Sequence, residues 1–173
     1  ELLENERYDE ALAIVDGLAK RRKLQPPEIA QIHRFRAYIF VNKDQNERAT
    51  VEFEKSLAIG AMEPAAEQVM IYSLAQIYTE LGKYDQALAL MNRWFESAES
   101  PKADAYFLKA MILVQQGNFR DAAEPAEKAL ELADKPKESW LTLHGVIHSQ
   151  LKDLPKVEKT LEQLVELAPT KSQ

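Results

Sequence analysis

The sequence predicts an all-α protein built as a solenoid of antiparallel helix pairs. One short turn pattern recurs along the chain, in copies that place a small residue at Ala11, Ala49, Ala87, Ala122 and Val157. These positions are separated by 38, 38, 35 and 35 residues, close to the period of about 34 residues of a helix–turn–helix repeat. A repeat of this size buries its apolar face only by packing on its neighbours, so the period indicates stacked hairpins.

The composition agrees with a packed helical chain and excludes several kinds of function. Of the 173 residues, 46% are hydrophobic and 29% are charged, which argues against disorder. The 22 basic and 28 acidic residues leave a net charge of −6, which disfavours nucleic acid as a partner. The absence of cysteine excludes disulfides and thiol chemistry. No apolar run approaches the roughly 18 residues of a membrane span, so we expect no direct membrane insertion.

Glycine and proline mark the ends of the predicted elements. Gly82 and Gly117 follow helix ends, where a left-handed residue terminates a helix at little cost. Four prolines stand at or just before helix starts, where a missing N–H is harmless: Pro27, Pro64, Pro101 and Pro136. About nine helices are therefore predicted, over residues 8–22, 27–42, 46–59, 64–81, 84–98, 102–116, 119–133, 137–151 and 154–167.

These helices are predicted to form a single array over residues 1–173. A partial repeat at 1–26 precedes repeats at about 27–63, 64–101, 102–136 and 137–171. Residues 1–5 have the pattern of the tail of an earlier helix, and residues 169–171 that of a further linker. We therefore expect the array to be a fragment of a longer chain.

The repeats resemble the tetratricopeptide repeat. That family pairs a bulky-x-x-Leu-small-x-x-aromatic helix with a second helix that carries Ala-x-x-x-bulky and a closing proline. The resemblance implies a right-handed superhelix whose first helices line a concave wall that binds peptides or helices, without catalysis. The closest match is the repeat that contains Ile71, Leu74, Ala75, Tyr78, Ala87, Met91 and Pro101.

Transferring that geometry gives a predicted peptide-binding groove. Its mixture of aromatic, apolar and hydrogen-bonding side chains is typical of interface centres, so we expect a protein or peptide partner with an apolar or aromatic segment. Core packing is the alternative for each aromatic member. The groove consists of Arg34, Phe35, Tyr38, Val69, Tyr72, Gln76, Phe107, Met111, Thr142 and Val146. Neighbouring positions of the same wall are Gln31, Ser73, Asp104, Leu108, Ser139 and Leu143. Of the positions that hold a terminal carboxylate in chaperone-binding members, only Arg34 is basic, so that function is not predicted.

The sequence departs from the family pattern at a position usually filled by a buried leucine, which here is Arg36, Lys109 or His144. One interpretation is that these helices are rolled and that the basic side chains extend outwards. The wall would then shift by about one position. The residues entering the core instead would be Phe35, Leu108 and Leu143.

Catalytic and metal-binding patterns are weak. His144 and His148 lie four residues apart, which places two imidazoles on one helix face, but the spacing supplies no third ligand. We interpret them as packing residues and predict no metal or other cofactor. Carboxylate pairs such as Glu127 with Glu131 are typical of solvated helix faces. No phosphate loop or catalytic triad occurs, so the sequence does not predict an enzyme.

Two functions fit these patterns. The first is an adaptor that binds its partner in the groove. The second is a structural, self-associating subunit of a larger assembly, because Leu161, Leu164 and Val165 form an apolar stripe that favours a homodimer through terminal helices. Across its units, including residues 81–88, the chain is also similar to repeat proteins found alongside TonB-type transport systems of Gram-negative bacteria. That similarity implies a periplasmic protein, with a cytoplasmic one as the alternative.

Overall fold

The computed structural model describes residues 7–167, and this part of the chain is composed of α-helices joined by short turns, without strands. Within these residues, no helix combines the length and apolarity needed to cross a membrane. The helices are α1 (Tyr8–Ala19), α2 (Pro26–Asn42), α3 (Asn46–Ile59), α4 (Pro64–Glu80), α5 (Tyr84–Ser97), α6 (Ala103–Gln115), α7 (Phe119–Leu132), α8 (Glu138–Gln150) and α9 (Leu154–Leu167).

The predicted helix limits are confirmed to within one residue for all helices except α1. Helix α1 ends three residues early, at Ala19, because the following turn holds Lys23 in the left-handed region with φ 65°. The predictions for residues 1–5 and 169–171 lie outside the described residues.

The same turn closes four of the helix pairs. Asp44, Gly82, Gly117 and Lys152 occupy equivalent positions and have φ angles of 55°, 69°, 74° and 58°. In each turn the next N–H donates to the carbonyl five residues earlier, at 2.8 to 2.9 Å. This pair of features is a Schellman motif, which satisfies carbonyls left free at the helix end. The sequence repeat is therefore a backbone repeat, and the predicted left-handed glycines are confirmed.

Helices α1 to α5 form one compact unit, in which each helix packs on the next. Alanine stands where the paired helices cross: Ala37 and Ala49 between α2 and α3, and Ala75 and Ala87 between α4 and α5, are all fully buried. A methyl group at these positions lets the helix backbones approach closely. The largest fully buried side chains around these crossings are Phe53, Ile39, Met70, Leu74 and Met91.

Helices α6 to α9 form a second compact unit, in which α6 also contacts α8. Ala110 and Ala122 repeat the small-residue crossing between α6 and α7. The crossing of α8 with α9 differs because its buried side chains include polar groups. His144, His148 and Thr160 are 9%, 2% and 1% exposed, respectively.

Candidate functional site

Exposed side chains lie along α2 and α4, which are the first helices of the two helix pairs α2–α3 and α4–α5, as the groove prediction requires. Phe35 on α2 is 47% exposed and Val69 on α4 is 60% exposed, and Gln76 is exposed about two turns further along α4. The guanidinium of Arg34 lies 5.4 Å from the centre of the Phe35 ring. Because the fold leaves these large apolar side chains exposed to water, a partner can bury them on binding.

The two tyrosines of this wall are half-buried because each packs on an aromatic residue of the adjacent second helix. Tyr38 meets Phe53 of α3 edge-on, with ring centres 5.1 Å apart. Tyr72 meets Trp94 of α5, with ring centres 5.4 Å apart. Each tyrosine therefore combines the two predicted roles: one side of its ring packs on the second helix, and the rest of the side chain remains accessible in the groove.

In the α6–α9 unit, aromatic stacking joins the two first helices. Phe107 of α6 stacks on Trp140 of α8 with ring centres 5.1 Å apart and an angle of 16° between planes. Lys137 Nζ lies 3.0 Å from Asp104 Oδ1 and 4.9 Å from the centre of the Trp140 ring. Trp140 itself is buried. Helical periodicity in the sequence therefore indicates a core residue and gives no sign that Trp140 also contacts Phe107 of the wall.

The remaining predicted wall residues of this unit divide into accessible and buried ones. Val146 is 44% exposed, Thr142 is exposed and Met111 is half-buried. Leu108, in contrast, is only 6% exposed, so its assignment to the wall was wrong. It packs into the core, as the rolled-helix interpretation predicted for that position.

That interpretation does not extend to the other helices. Phe35 is exposed and Leu143 is half-buried, so neither is a core residue comparable to Leu108. The prediction that the basic side chains extend outwards was also wrong for Arg36 and His144. Both turn towards neighbouring helices and find polar partners there, which compensates for the missing leucine.

Arg36 belongs to a closed ion-pair network between α1, α2 and α3. Its guanidinium lies 2.7 Å from Asp16 and 4.0 Å from Glu52. Glu52 also accepts hydrogen bonds from His33 at 2.7 Å and Lys55 at 2.8 Å. Burial alone would raise the pKa of Glu52, but the bonds from Lys55 and His33 outweigh it and hold that pKa below its ordinary value.

A second polar group, which we call the histidine cluster, consists of Glu127, His144 and His148. One side-chain donor atom from each lies within 4.8 Å of the others. The two imidazoles from α8 have ring centres 4.3 Å apart. Glu127 comes from α7, so packing of α7 on α8 supplies the third group that the sequence spacing could not place.

Burial keeps the two imidazoles of the histidine cluster neutral. Desolvation, reinforced by the neighbouring His148, lowers the pKa of His144 to about 4. Desolvation and the charge of Lys156 also lower the pKa of His148. Neutral imidazoles carry a lone pair on one ring nitrogen, which makes them acceptors or metal ligands rather than cations at pH 7.

Comparison with known proteins identifies the repeats. Two family models, both described as tetratricopeptide repeat, match residues 67–135 and residues 1–64, which together are well over half of the chain. No curated protein sequence shows significant similarity to the chain.

Solved structures with the same fold include the following three proteins. YrrB, described as a TPR protein with an unusual peptide-binding site, is 22% identical with a TM-score of 0.80 over 98% of this chain and 82% of its own. MamA from Desulfovibrio magneticus RS-1 is 18% identical with a TM-score of 0.78 over 99% and 92%. BtubC from P. vanneervenii is 15% identical with a TM-score of 0.73 over 96% and 74%. Together with the helix pairs and their repeated turn, these matches confirm the predicted fold class. The chain belongs to the tetratricopeptide-repeat family.

Proposed function

We propose that the protein is a non-catalytic scaffold that binds a peptide or helix along the first-helix wall of its repeats. The observation that carries the proposal is the exposure of Phe35, Val69 and Val146 at wall positions of three different first helices. Exposed apolar groups at regular positions of a rigid scaffold are the usual anchors of a protein interface. The family assignment supports this function, and one structural neighbour, YrrB, is described as having a peptide-binding site.

The chemistry of the wall favours a partner with apolar or aromatic side chains. The half-buried rings of Tyr38, Tyr72 and Phe107 are already fixed by their ring contacts, so they lose little conformational freedom when a partner binds. Exposed Gln76 and Thr142 offer hydrogen bonds between these apolar anchors. The net charge of −6 weighs against nucleic acid and against a strongly acidic segment.

The wall of each unit can be tested separately with three matched valine variants. Val69→Asp alters the wall of the α1–α5 unit and Val146→Asp that of the α6–α9 unit, whereas Val51→Asp places the same charge on second helix α3. All three side chains are 44–60% exposed, so each variant should fold. Peptides selected on the native protein from a random displayed library should carry apolar or aromatic residues. Their affinity should fall at least about tenfold in one or both wall variants, a loss of about 1.4 kcal/mol, and stay unchanged in Val51→Asp.

Two results of this experiment would contradict the scaffold proposal. One is that selection enriches no peptide that binds the free protein in solution. The other is that the three variants weaken binding equally, because a general effect of negative charge would then explain the loss. Circular dichroism of each variant verifies that the helices are intact.

A second candidate function is self-association through α9. Leu154, Leu161 and Val165 are 72%, 56% and 74% exposed on this helix, whereas Leu164 of the predicted stripe is half-buried. If a second copy covers this stripe, light scattering should give the mass of a dimer that Leu161→Lys with Val165→Lys reduces to a monomer. A monomeric native chain would exclude this candidate and leave the groove function unaffected.

The remaining sequence predictions concern chemistry and location. A scaffold without enzymatic activity is consistent with the family. The link to TonB-type systems and the periplasmic location stay predictions, because neither the family models nor the three structural neighbours concern such a system.

A further inference from the structure

We propose that the histidine cluster binds a divalent transition-metal ion of the zinc class, with Glu127, His144 and His148 as its three protein ligands. This site is separate from the peptide-binding wall and does not depend on the proposed scaffold function. It would connect α7 to α8 through the ion.

The donor set and its spacing fit such an ion. Two imidazoles at positions i and i+4 of one helix and a carboxylate from the adjacent helix form a His₂Glu set, which is a known zinc set with one coordination position open. The donor atoms lie within 4.8 Å of one another. An ion at the centre of the group would draw these atoms in to metal–ligand distances of about 2.0–2.2 Å. Imidazole favours zinc, copper and nickel over calcium and magnesium, which prefer oxygen ligands.

Hydrogen bonding orients His144 as a metal ligand. Thr160 Oγ1 donates its single hydroxyl proton to the backbone carbonyl of Lys156 at 2.7 Å. The same oxygen lies 2.8 Å from His144 Nδ1, so it accepts a hydrogen bond from Nδ1–H. The other nitrogen, Nε2, therefore carries the lone pair. Metal-bound histidines are usually held by such a bond from the ring nitrogen that does not contact the metal.

His148 is buried with both ring nitrogens lacking a hydrogen bond. Its side chain is only 2% exposed. Nε2 lies 3.3 Å from Glu127 Oε1, and Nδ1 lies 3.6 Å from Asp153 Oδ2. A buried polar group that makes no well-formed hydrogen bond is costly, and in a native structure it calls for an explanation. An ion bound to Nε2 beside Glu127, with Asp153 on the Nδ1 side, would satisfy both nitrogens and repeat the carboxylate–histidine–metal arrangement.

The cluster is also accessible. Glu127 and His144 line a cleft of about 380 Å³ together with Thr160, Lys156 and Lys159. The Glu127 side chain is 43% exposed, which gives an ion a path to the buried imidazoles. Lys156 Nζ forms an ion pair with Glu127, so the ammonium group and a metal ion would compete for the same carboxylate.

Calorimetric titration of the 173-residue chain with Zn²⁺ tests the proposal, with Glu131 as the matched control for Glu127. Glu131 lies one turn along α7 and lines the same cleft, but it is not part of the cluster. We expect one Zn²⁺ per chain, at least about tenfold weaker binding in Glu127→Gln, and unchanged binding in Glu131→Gln. Absence of a saturable single site, or equal affinity in both variants, would overturn the proposal, since ordinary surface carboxylates would then account for any binding.

A Lys156→Gln variant provides a test in the opposite direction. Because it removes the cation that occupies Glu127, we expect it to bind Zn²⁺ more tightly than the native chain. Unchanged or weaker binding would show that the ion does not use the Glu127 carboxylate. The substituted side chains of Glu127, Glu131 and Lys156 are 43%, 68% and 45% exposed, so all three variants should keep the native fold, which circular dichroism verifies.

Cobalt provides a spectroscopic readout of the imidazole ligands. The visible absorption bands of Co²⁺ bound to the native chain should change in His144→Gln and stay the same in His33→Gln, in which the altered histidine belongs to the ion-pair network of the other unit. Identical spectra for all three proteins would exclude His144 as a ligand.

Discussion

The two units use equivalent positions of the repeat to build opposite kinds of polar group. When the repeats are aligned by sequence, Arg36 is equivalent to His144 and Glu52 is equivalent to Thr160. In the α1–α5 unit the buried carboxylate of Glu52 is surrounded by His33, Lys55 and Arg36, so acceptors and donors satisfy one another. In the α6–α9 unit the equivalent hydroxyl of Thr160 donates to the Lys156 carbonyl and accepts a hydrogen bond from one side chain, His144.

The difference shows that one backbone repeat can hold either a closed ion-pair network or an open set of metal donors. With Thr160 in place of a carboxylate on the second helix, the acidic partner comes from α7 instead, and His148 keeps both nitrogens without hydrogen bonds. The shared turns and small-residue crossings stabilise both units in the same way. The polar side chains between the helices are what distinguishes them.

The largest effect is expected where the units are alike. Ala87 is fully buried at the α4–α5 crossing, as Ala122 is at the α6–α7 crossing. Ala87→Glu buries an unpaired charge and separates the helices, which should lower the free energy of unfolding by on the order of 4 kcal/mol. Urea unfolding measures the change, with the exposed Ala89→Glu on the same helix as control. Similar stability of the two variants would contradict the predicted crossing.

Acid should destabilise the α6–α9 unit through His144. Its pKa of about 4 in the folded protein is below the unfolded value near 6.5, so the unfolded chain binds more protons between these values. Stability is therefore fully present above pH 6.5 and is lost as the pH falls towards 4, by up to about 3 kcal/mol. The charged groups that face this ring are Glu127 from α7, His148 from α8, and Lys156 and Lys159 from α9.

Urea unfolding of the metal-free protein at pH 7 and pH 5 measures this loss. Carboxylates elsewhere also titrate in acid, so the test is the difference between the native chain and His144→Gln. A smaller loss of stability in the variant is the predicted result, and equal losses in both proteins would exclude His144 as the cause.

Removal of one carboxylate should affect the two polar groups unequally. Glu52→Gln removes the negative charge beside Arg36 and replaces one of the two oxygens that bond His33 and Lys55 by an amide donor. One of these bonds is therefore lost inside the helix interface, so we expect a loss of about 1–3 kcal/mol in the free energy of unfolding. Glu127→Gln in the metal-free protein removes a half-exposed ion pair with Lys156 and leaves an amide in place of the carboxylate beside His148, which should change stability by less than about 1 kcal/mol. If both variants lose the same free energy of unfolding, the proposed difference between the closed ion-pair network around Glu52 and the open histidine cluster would be contradicted.

The smallest effect is expected at the turn that both units share. Lys152 adopts the left-handed conformation that Gly117 adopts in the preceding repeat. Because a side chain is unfavourable in this region, Lys152→Gly should raise the free energy of unfolding by about 1 kcal/mol, and Gly117→Lys should lower it by a similar amount. Thermal unfolding of both variants checks the pair, and a destabilised Lys152→Gly would contradict the turn equivalence.

The helices could be predicted from the sequence because their signals are local. Gly82 and Pro64, for example, act within a few residues of the helix ends that they mark. The exposed face of the first helices followed from the family resemblance, and none of the ten groove residues that it predicted is buried. Whether they bind a peptide stays a prediction.

Features that depend on the register between helices could not be predicted. The spacing of His144 and His148 is visible in the sequence, but the approach of Glu127 depends on how α7 packs against α8. Leu108 shows the same limit, because the rotation of α6 about its axis decides whether this side chain lines the wall or enters the core. The aromatic contact between Phe107 and Trp140 is likewise set by the packing of α6 on α8.

X-ray absorption at the zinc edge of the protein loaded with one equivalent of Zn²⁺ tests the central difference between the units most directly. We expect two imidazole nitrogens and a carboxylate oxygen at about 2.0–2.2 Å, with one imidazole lost in His144→Gln and none in His33→Gln. A spectrum with oxygen ligands alone, or one that changes in His33→Gln instead, would contradict the open donor set of the α6–α9 unit.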